Sequence, residues 1–142
     1  MTTRSDNELH FRTRAGNRCE YCQMHQALQG ATFHVEHIVP RSRGGSSPLE
    51  NLAWSCPGCK LHKAGRVEFS DPESGDIVAL FNPRRDYWDD HFEWIGFELV
   101  ARSPVGRATC EALNLNQERR ILIRRAEAFF GLFPPEPRDV ES

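Results

Sequence analysis

Two Cys-x-x-Cys pairs constrain the fold of this chain more than any other feature of its sequence. Cys19 and Cys22 form the first pair, and Cys56 and Cys59 form the second after a spacer of 33 residues. A two-residue gap lets one tight turn direct both sulfurs at one ion, with Zn–S distances of about 2.3 Å. Disulfides are a poor explanation for an odd total of five cysteines, and a thioredoxin-like redox site needs one such pair after a strand, not two. The pattern predicts a structural zinc site with a long segment inserted in its metal loop.

Composition and charge narrow the class of protein further. The 142 residues amount to about one domain, and 39% of them are hydrophobic, which is enough for a core. The chain has neither an apolar run long enough to span a membrane nor a signal-peptide pattern, so we expect a cytoplasmic protein. Its net charge of −2 conceals an uneven split, since residues 1–66 have 9 basic and 5 acidic side chains and residues 67–142 have 9 and 15. The first part is therefore basic enough to bind nucleic acid.

The segment between the two pairs predicts a hairpin. Thr32 to Val39 is rich in β-branched and aromatic residues and reads as a strand that Pro40 ends. A polar, Gly-rich loop over 41–47 follows, and residues 49–55 return toward the second pair. After Cys59 a short helix is expected over 60–65, with Gly65 as its stop, and a helix over 6–15 precedes the first pair, with a capping box at Ser5 and Glu8. Together these elements predict a compact ββα unit on a zinc knuckle.

The same segment carries a family resemblance. The ordered motifs are Cys19-x2-Cys22, Glu36-His37-Ile38-Val39-Pro40, Gly44-Gly45, Asn51-Leu52, Cys56-x2-Cys59 and Lys63. Over about residues 16–66 this set resembles the HNH endonucleases with a zinc-binding frame, and the segments beyond it are similar to the C-terminal extension of bacterial standalone HNH proteins. The resemblance implies an α+β fold, with a ββα-metal nuclease core and a structural zinc held by four cysteines in residues 1–66. Residues 67–142 would form an α+β extension packed on that core.

The resemblance also implies a role for each motif residue in the divalent-metal-dependent hydrolysis of DNA. His37 would be the general base, a role that suits an imidazole with a pKa near ~6.5. Glu36 stands where the family more often has Asp, and its carboxylate would bind Mg²⁺, Mn²⁺ or another divalent ion. Asn51 would brace the loop that carries the base, and Lys63 would contact substrate phosphate.

Residue 60 departs from the family pattern. The family usually has His or Asn directly after the second Cys pair, where that residue completes the catalytic metal site, but this chain has Lys60, whose ammonium has no lone pair for a cation. Glu36 could bind the ion with His34 or His62 instead, although His34 reads equally well as part of a surface pair and His62 as a solvated helix residue. Lys60 could itself neutralise the phosphate. In the third alternative the site is catalytically inactive, and the chain is a zinc-containing module that binds DNA or protein.

Arginines supply most of the positive charge, since 16 of the 18 basic residues are Arg. Those near the motif are candidate DNA contacts, together with Lys63: Arg14, Arg18, Arg41 and Arg43. A second cluster at residues 119, 120, 124 and 125 lies in a helix expected over 117–130 with Asn116 as its cap. This cluster could bind nucleic acid or pair with Glu118 and Glu127 along the helix. Before it we expect strands over 77–81 and 96–101 and helices over 87–94 and 103–113, the latter opened by Ser103-Pro104.

Overall fold

The N-terminal half is built on a hairpin followed by a helix. The computed structural model describes residues 4–28, 32–45 and 48–136, with the backbone alone for 4–7, so the Ser5 part of the predicted capping box lies outside the described side chains. The elements of this half are α1 (Arg4–Arg14), β1 (His34–His37), β2 (Leu52–Ser55) and α2 (Pro57–Lys63). β1 and β2 are antiparallel, with Glu36 opposite Ala53. The predicted ββα arrangement and the α+β fold class are confirmed.

After β1 the backbone conformation is set by side-chain bonds and close backbone contacts and not by strand pairing. The predicted strand over 32–39 is too long at both ends. At its C-terminal end, the backbone N–H of Val39 donates to the side chain of Asn51 instead of to β2. Gly44 has a φ of 85°, in the left-handed region. Gly45 lies so close to the Val39 carbonyl that a Cβ there would be 1.7 Å from its oxygen. Ser46 and Ser47, the end of the predicted loop, lie outside the described residues.

Helix α2 begins earlier than predicted. Cys56 caps it, since the Sγ accepts a hydrogen bond from the backbone N–H of Cys59 at 3.3 Å, and Pro57 takes the first helical position. The predicted stop at Gly65 is wrong by one residue. Ala64 closes the helix in the left-handed conformation with a φ of 48°, and Gly65 follows with a φ of 80°.

The described part of the C-terminal half, residues 67–136, contains two further hairpins and three helices. They are β3 (Glu68–Ser70), β4 (Ile77–Ala79), α3 (Trp88–His91), β5 (Phe92–Ile95), β6 (Glu98–Ala101), α4 (Pro104–Leu113) and α5 (Glu118–Phe129). Ser103 caps α4 as predicted, accepting from the N–H of Gly106 at 2.9 Å. The predicted helix over 87–94 is only half right, because residues 92–95 pair with β6. Asn116 does not cap α5 and instead bonds both backbone groups of Leu99.

One hydrophobic core joins the two halves. It contains Phe11, Trp54 and the four paired cysteines from the first half and Phe92, Leu99 and Leu113 from the second. α4 packs against α2 as well as against β3, β4 and β6. Among the described residues, no helix combines the length and apolar character needed to cross a bilayer.

Candidate functional site

The four paired cysteines converge at the base of the hairpin. The sulfurs of Cys19, Cys22, Cys56 and Cys59 all lie within 4.8 Å of one another, and all four residues are buried. The sulfurs of Cys22 and Cys56 are 3.9 Å apart, and none of the four cysteines is in a disulfide. A tetrahedral ion with Zn–S distances of about 2.3 Å separates its sulfurs by roughly 3.8 Å. The cluster therefore fits one tetrahedral metal ion, as the spacing predicted.

The pKa values of the buried thiols also bear on cation binding by the cluster. Burial raises the pKa of the Cys22 and Cys59 thiols well above the ordinary value. The pKa of Cys56 is lowered by hydrogen bonds from Cys19, Cys22 and Cys59. A metal ion stabilises all four sulfurs as thiolates, because it replaces the protons that a buried thiol otherwise retains.

Glu36 and Lys63 form a buried ion pair between β1 and α2. The Nζ of Lys63 lies 3.1 Å from Oε1 of Glu36, and it donates a hydrogen bond to the carbonyl of Ile38 at 2.8 Å. Glu36 is 9% exposed and Lys63 is 1% exposed. Burial raises the pKa of Glu36, and the positive charge of Lys63 opposes part of that rise. Lys63 thus joins β1 to the helix that carries the second Cys pair, and it does not lie on the surface where the predicted phosphate contact would require it.

Two buried oxygen atoms beside this pair lack hydrogen-bond partners among the described residues. They are Oε2 of Glu36 and the hydroxyl of Tyr21. No second group of three or more His, Cys, Asp or Glu side chains gathers its ligand atoms within 4.8 Å in the described part of the chain. His34 and His62 therefore do not join Glu36 in a ready-made cluster of that kind.

Asn51 holds the backbone directly after His37. Its Oδ1 accepts from the N–H of Val39 at 2.9 Å, and its Nδ2 donates to the Val39 carbonyl at 3.0 Å. Its own carbonyl accepts from the N–H of Ile38 at 2.8 Å. With the bond from Lys63 to Ile38, both residues that follow His37 are tied to other elements. His37 itself is half-buried at the end of β1.

The remaining predicted site residues divide into exposed and internal groups. Lys60, Arg41, Arg43 and His34 are exposed, and His62 is half-buried. The two other arginines have internal partners: Arg14 donates to the carbonyls of Leu49 and Leu52, and Arg18 to those of Gln23 and Leu132. Their guanidinium groups hold loops in place, which is a different position from the predicted DNA contact.

The sequence analysis did not predict the contacts that two charged residues make at the Cys pairs. Glu20, within the first pair, is 4% exposed, accepts from the N–H of Trp54 at 3.0 Å and forms an ion pair with Arg84. Arg120 of α5 is buried, and its Nη1 donates to the Sγ of Cys59 at 3.2 Å. A single sequence contains no signal for either arginine contact, because each joins segments more than sixty residues apart.

The hairpin, the helix after it and the four-cysteine cluster lie in the part of the chain that matches a known family. Residues 19–66 match the family described as HNH endonuclease, so this part of the chain is an HNH domain. Over 113 residues the chain is 25% identical to the Septu protein PtuB of Bacillus thuringiensis. That alignment covers 78% of this chain and 41% of the Bacillus protein, so the chain spans less than half of that relative's length. No solved structure matches the chain.

Proposed function

We propose that this chain is a divalent-metal-dependent endonuclease that hydrolyses DNA phosphodiester bonds, with His37 as the general base and zinc in the four-cysteine cluster. The observation that carries the proposal is the fixed backbone after His37. Asn51 binds Val39 at both backbone groups, and Lys63 binds the carbonyl of Ile38. A general base acts efficiently when its position is held before the substrate arrives.

The chemistry assigned to these residues is hydrolysis by an activated water. His37 takes a proton from the water, whose oxygen then attacks phosphorus as the bond to the leaving oxygen breaks. The proton stays on the imidazole ring, and the leaving oxygen gains a proton from solvent. A bound divalent ion would supply positive charge for the phosphate oxygens and the leaving group.

Glu36 is the residue that would hold the divalent ion. Its Oε1 is paired with Lys63, but Oε2 is buried and has no hydrogen bond among the described residues, so one oxygen retains its lone pairs for a cation. Mg²⁺ commonly takes one or two carboxylates and keeps several waters. Oε2 is buried in this structure, so a hydrated ion reaches it only if the side chains around Glu36 move.

Exposed basic side chains beside the hairpin would contact the DNA backbone. Arg41 and Arg43 lie in the loop after β1, and Lys60 lies in α2. Each phosphate contact by a basic residue contributes to affinity independently of the DNA sequence. We assign Lys60 to phosphate neutralisation, since it cannot bind a cation.

A nicking assay on supercoiled plasmid tests the proposal. Cleavage is expected with Mg²⁺ or Mn²⁺, with Ni²⁺ as a further arm, and none with EDTA. His37→Ala should lower the rate by about 10²–10⁴-fold, because it removes the general base. His10→Ala, at an exposed position of α1, is the matched control and should cleave at the native rate.

Lys60 favours a second candidate function, that of an inactive module that binds DNA or protein. If no metal supports cleavage and His37→Ala leaves DNA binding unchanged, this second function replaces the first. Lys60→Asn separates the two further. A large gain in both cleavage and Mn²⁺ affinity in that variant would identify Lys60 as a disabling residue, whereas a loss of cleavage supports its contact with phosphate.

A further inference from the structure

Helix α5 brings a buried cation to the four-cysteine cluster. Arg120 is 5% exposed, and its Nη1 lies 3.2 Å from the Sγ of Cys59, 61 residues earlier in the chain. In the described part of the chain, no carboxylate forms an ion pair with Arg120. A buried guanidinium needs a compensating negative charge. The thiolate cluster is the group in contact with it that can supply one.

Gly58 leaves room for this contact. It lies inside the second Cys pair at the start of α2, and it is not among the glycines with a positive φ. A Cβ at this position would lie 2.8 Å from Nη2 of Arg120. The small residue is therefore needed for the approach of the guanidinium, and not for an unusual backbone conformation.

The charge of the cluster explains what the arginine does there. Four thiolates around one Zn²⁺ have a net charge of −2, and burial makes that charge costly unless it is paired. Residues that donate hydrogen bonds to metal ligands tune affinity, and their loss typically costs 10–100-fold in binding.

We propose that Arg120 is an outer-sphere partner of the zinc site, through which α5 sets the affinity and lability of the ion bound by the N-terminal half. This inference rests on the proposed zinc site. Arg120 acts through Cys59 and is a positioning residue.

The next arginine along α5 has a different environment. Arg124 donates to the carbonyls of Phe97 and Leu115, and its guanidinium lies 5.0 Å from the centre of the Trp94 ring. Arg119 is exposed. Arg120, the residue directly after Arg119 in the helix, is the one that contacts a cysteine sulfur. Arg119→Ala is therefore a matched control for charge and helix position.

Two measurements on the full chain test the proposal. The first is zinc competition against a chromophoric chelator, in which Arg120→Ala should bind zinc about 10- to 100-fold more weakly than the native chain. The second is the sulfur-to-metal charge-transfer absorption of the Co²⁺-substituted protein. This band should shift to lower energy in Arg120→Ala, since a thiolate without its N–H donor is a better electron donor. Arg120→Lys should recover part of both effects, and Arg119→Ala should show neither.

Gly58→Ala tests the same contact from the other side. The added methyl group meets the far end of a flexible side chain, so the guanidinium moves and the fold remains. A band shift in the same direction as that of Arg120→Ala is expected. This variant and Arg120→Lys decide the question if Arg120→Ala does not fold.

The outcomes separate the two proposals. A native chain that holds neither zinc nor cobalt overturns the zinc site and this inference with it. A native chain that binds both ions, with Arg120→Ala and Gly58→Ala equal to the Arg119→Ala control in affinity and band position, overturns the role of Arg120 alone.

Discussion

Replacing Lys63 by methionine removes the positive partner of a buried carboxylate and keeps an unbranched side chain in its place. Lys63 is 1% exposed, and its Nζ lies 3.1 Å from Glu36. Removing one member of a buried ion pair leaves the other charge uncompensated, which costs about 3–5 kcal/mol. For a chain of this size 1 kcal/mol corresponds to about 3 °C in Tm, so Lys63→Met should melt roughly 10–15 °C below the native protein.

The assays are a thermal melt, which gives Tm, and urea unfolding followed by tryptophan fluorescence, which gives the free energy of unfolding. Zinc is at a fixed saturating concentration in every sample. Fixed metal matters because binding to the folded state alone raises apparent stability. Lys60→Met is the matched control, since it is the same substitution three residues earlier in α2 at an exposed position. Surface substitutions of this kind usually change the free energy of unfolding by no more than about 0.5 kcal/mol.

Equal stability of Lys63→Met and Lys60→Met would refute the buried pair. The double variant Lys63→Met with Glu36→Gln provides an independent check. It removes both charges, so it should be more stable than Lys63→Met alone. If adding Glu36→Gln destabilises Lys63→Met further, the cost of the lysine substitution does not come from an uncompensated carboxylate.

Three further predictions concern the hydrogen bonds of Asn51, the pH dependence of stability through Asp71, and the removal of zinc. Asn51→Ala removes both bonds to Val39, so it should cost about 1–3 kcal/mol in urea unfolding and slow plasmid nicking by about 10-fold or more; a native rate would contradict the bracing role. Hydrogen bonds from Arg107 hold the pKa of Asp71 well below its ordinary 3.8, so its stabilisation is complete above that pH and is lost as the pH falls. Melting curves measured at decreasing pH below 3.8 should show a smaller fall of Tm with pH for Asp71→Asn than for the native chain. Chelation of zinc should unfold the N-terminal half, since such sites contribute about 10–16 kcal/mol, and unchanged circular dichroism after complete metal removal would exclude a structural ion.

Local motifs in the sequence predicted the convergence of the four cysteines and the hairpin well. The spacing within each Cys pair determines where the sulfurs point, because only a few residues separate them, and the convergence of all four follows from the hairpin between the pairs. Ser103-Pro104 likewise predicted the start of α4, since an N-cap depends on residues three positions apart.

The features that the sequence analysis did not predict are those in which packing or pairing overrides the preference of the individual residue. Glu36 and Lys63 are charged residues, a type that is usually exposed, and their burial follows from the way α2 packs on β1. Phe92 and Trp94 are aromatic residues of a type that favours strands, and their pairing with β6 ends the helix expected over 87–94 at its midpoint. The left-handed conformation of Ala64 is a similar case, since Gly65 beside it is the residue with the lower cost for that conformation.

During synthesis on the ribosome, Cys59 is made before the arginine that contacts it. Arg120 follows Cys59 by 61 residues, and ribosomes add about 5–20 residues per second, so the second Cys pair exists for about 3–12 s before its arginine is made. The carbonyl of Leu132, which accepts a hydrogen bond from Arg18, lies 114 residues after Arg18 and is made later still. During this interval the nascent thiols are exposed to oxidants and to competing metals. Early zinc capture would then protect the N-terminal half until α5 is made and closes over the ion.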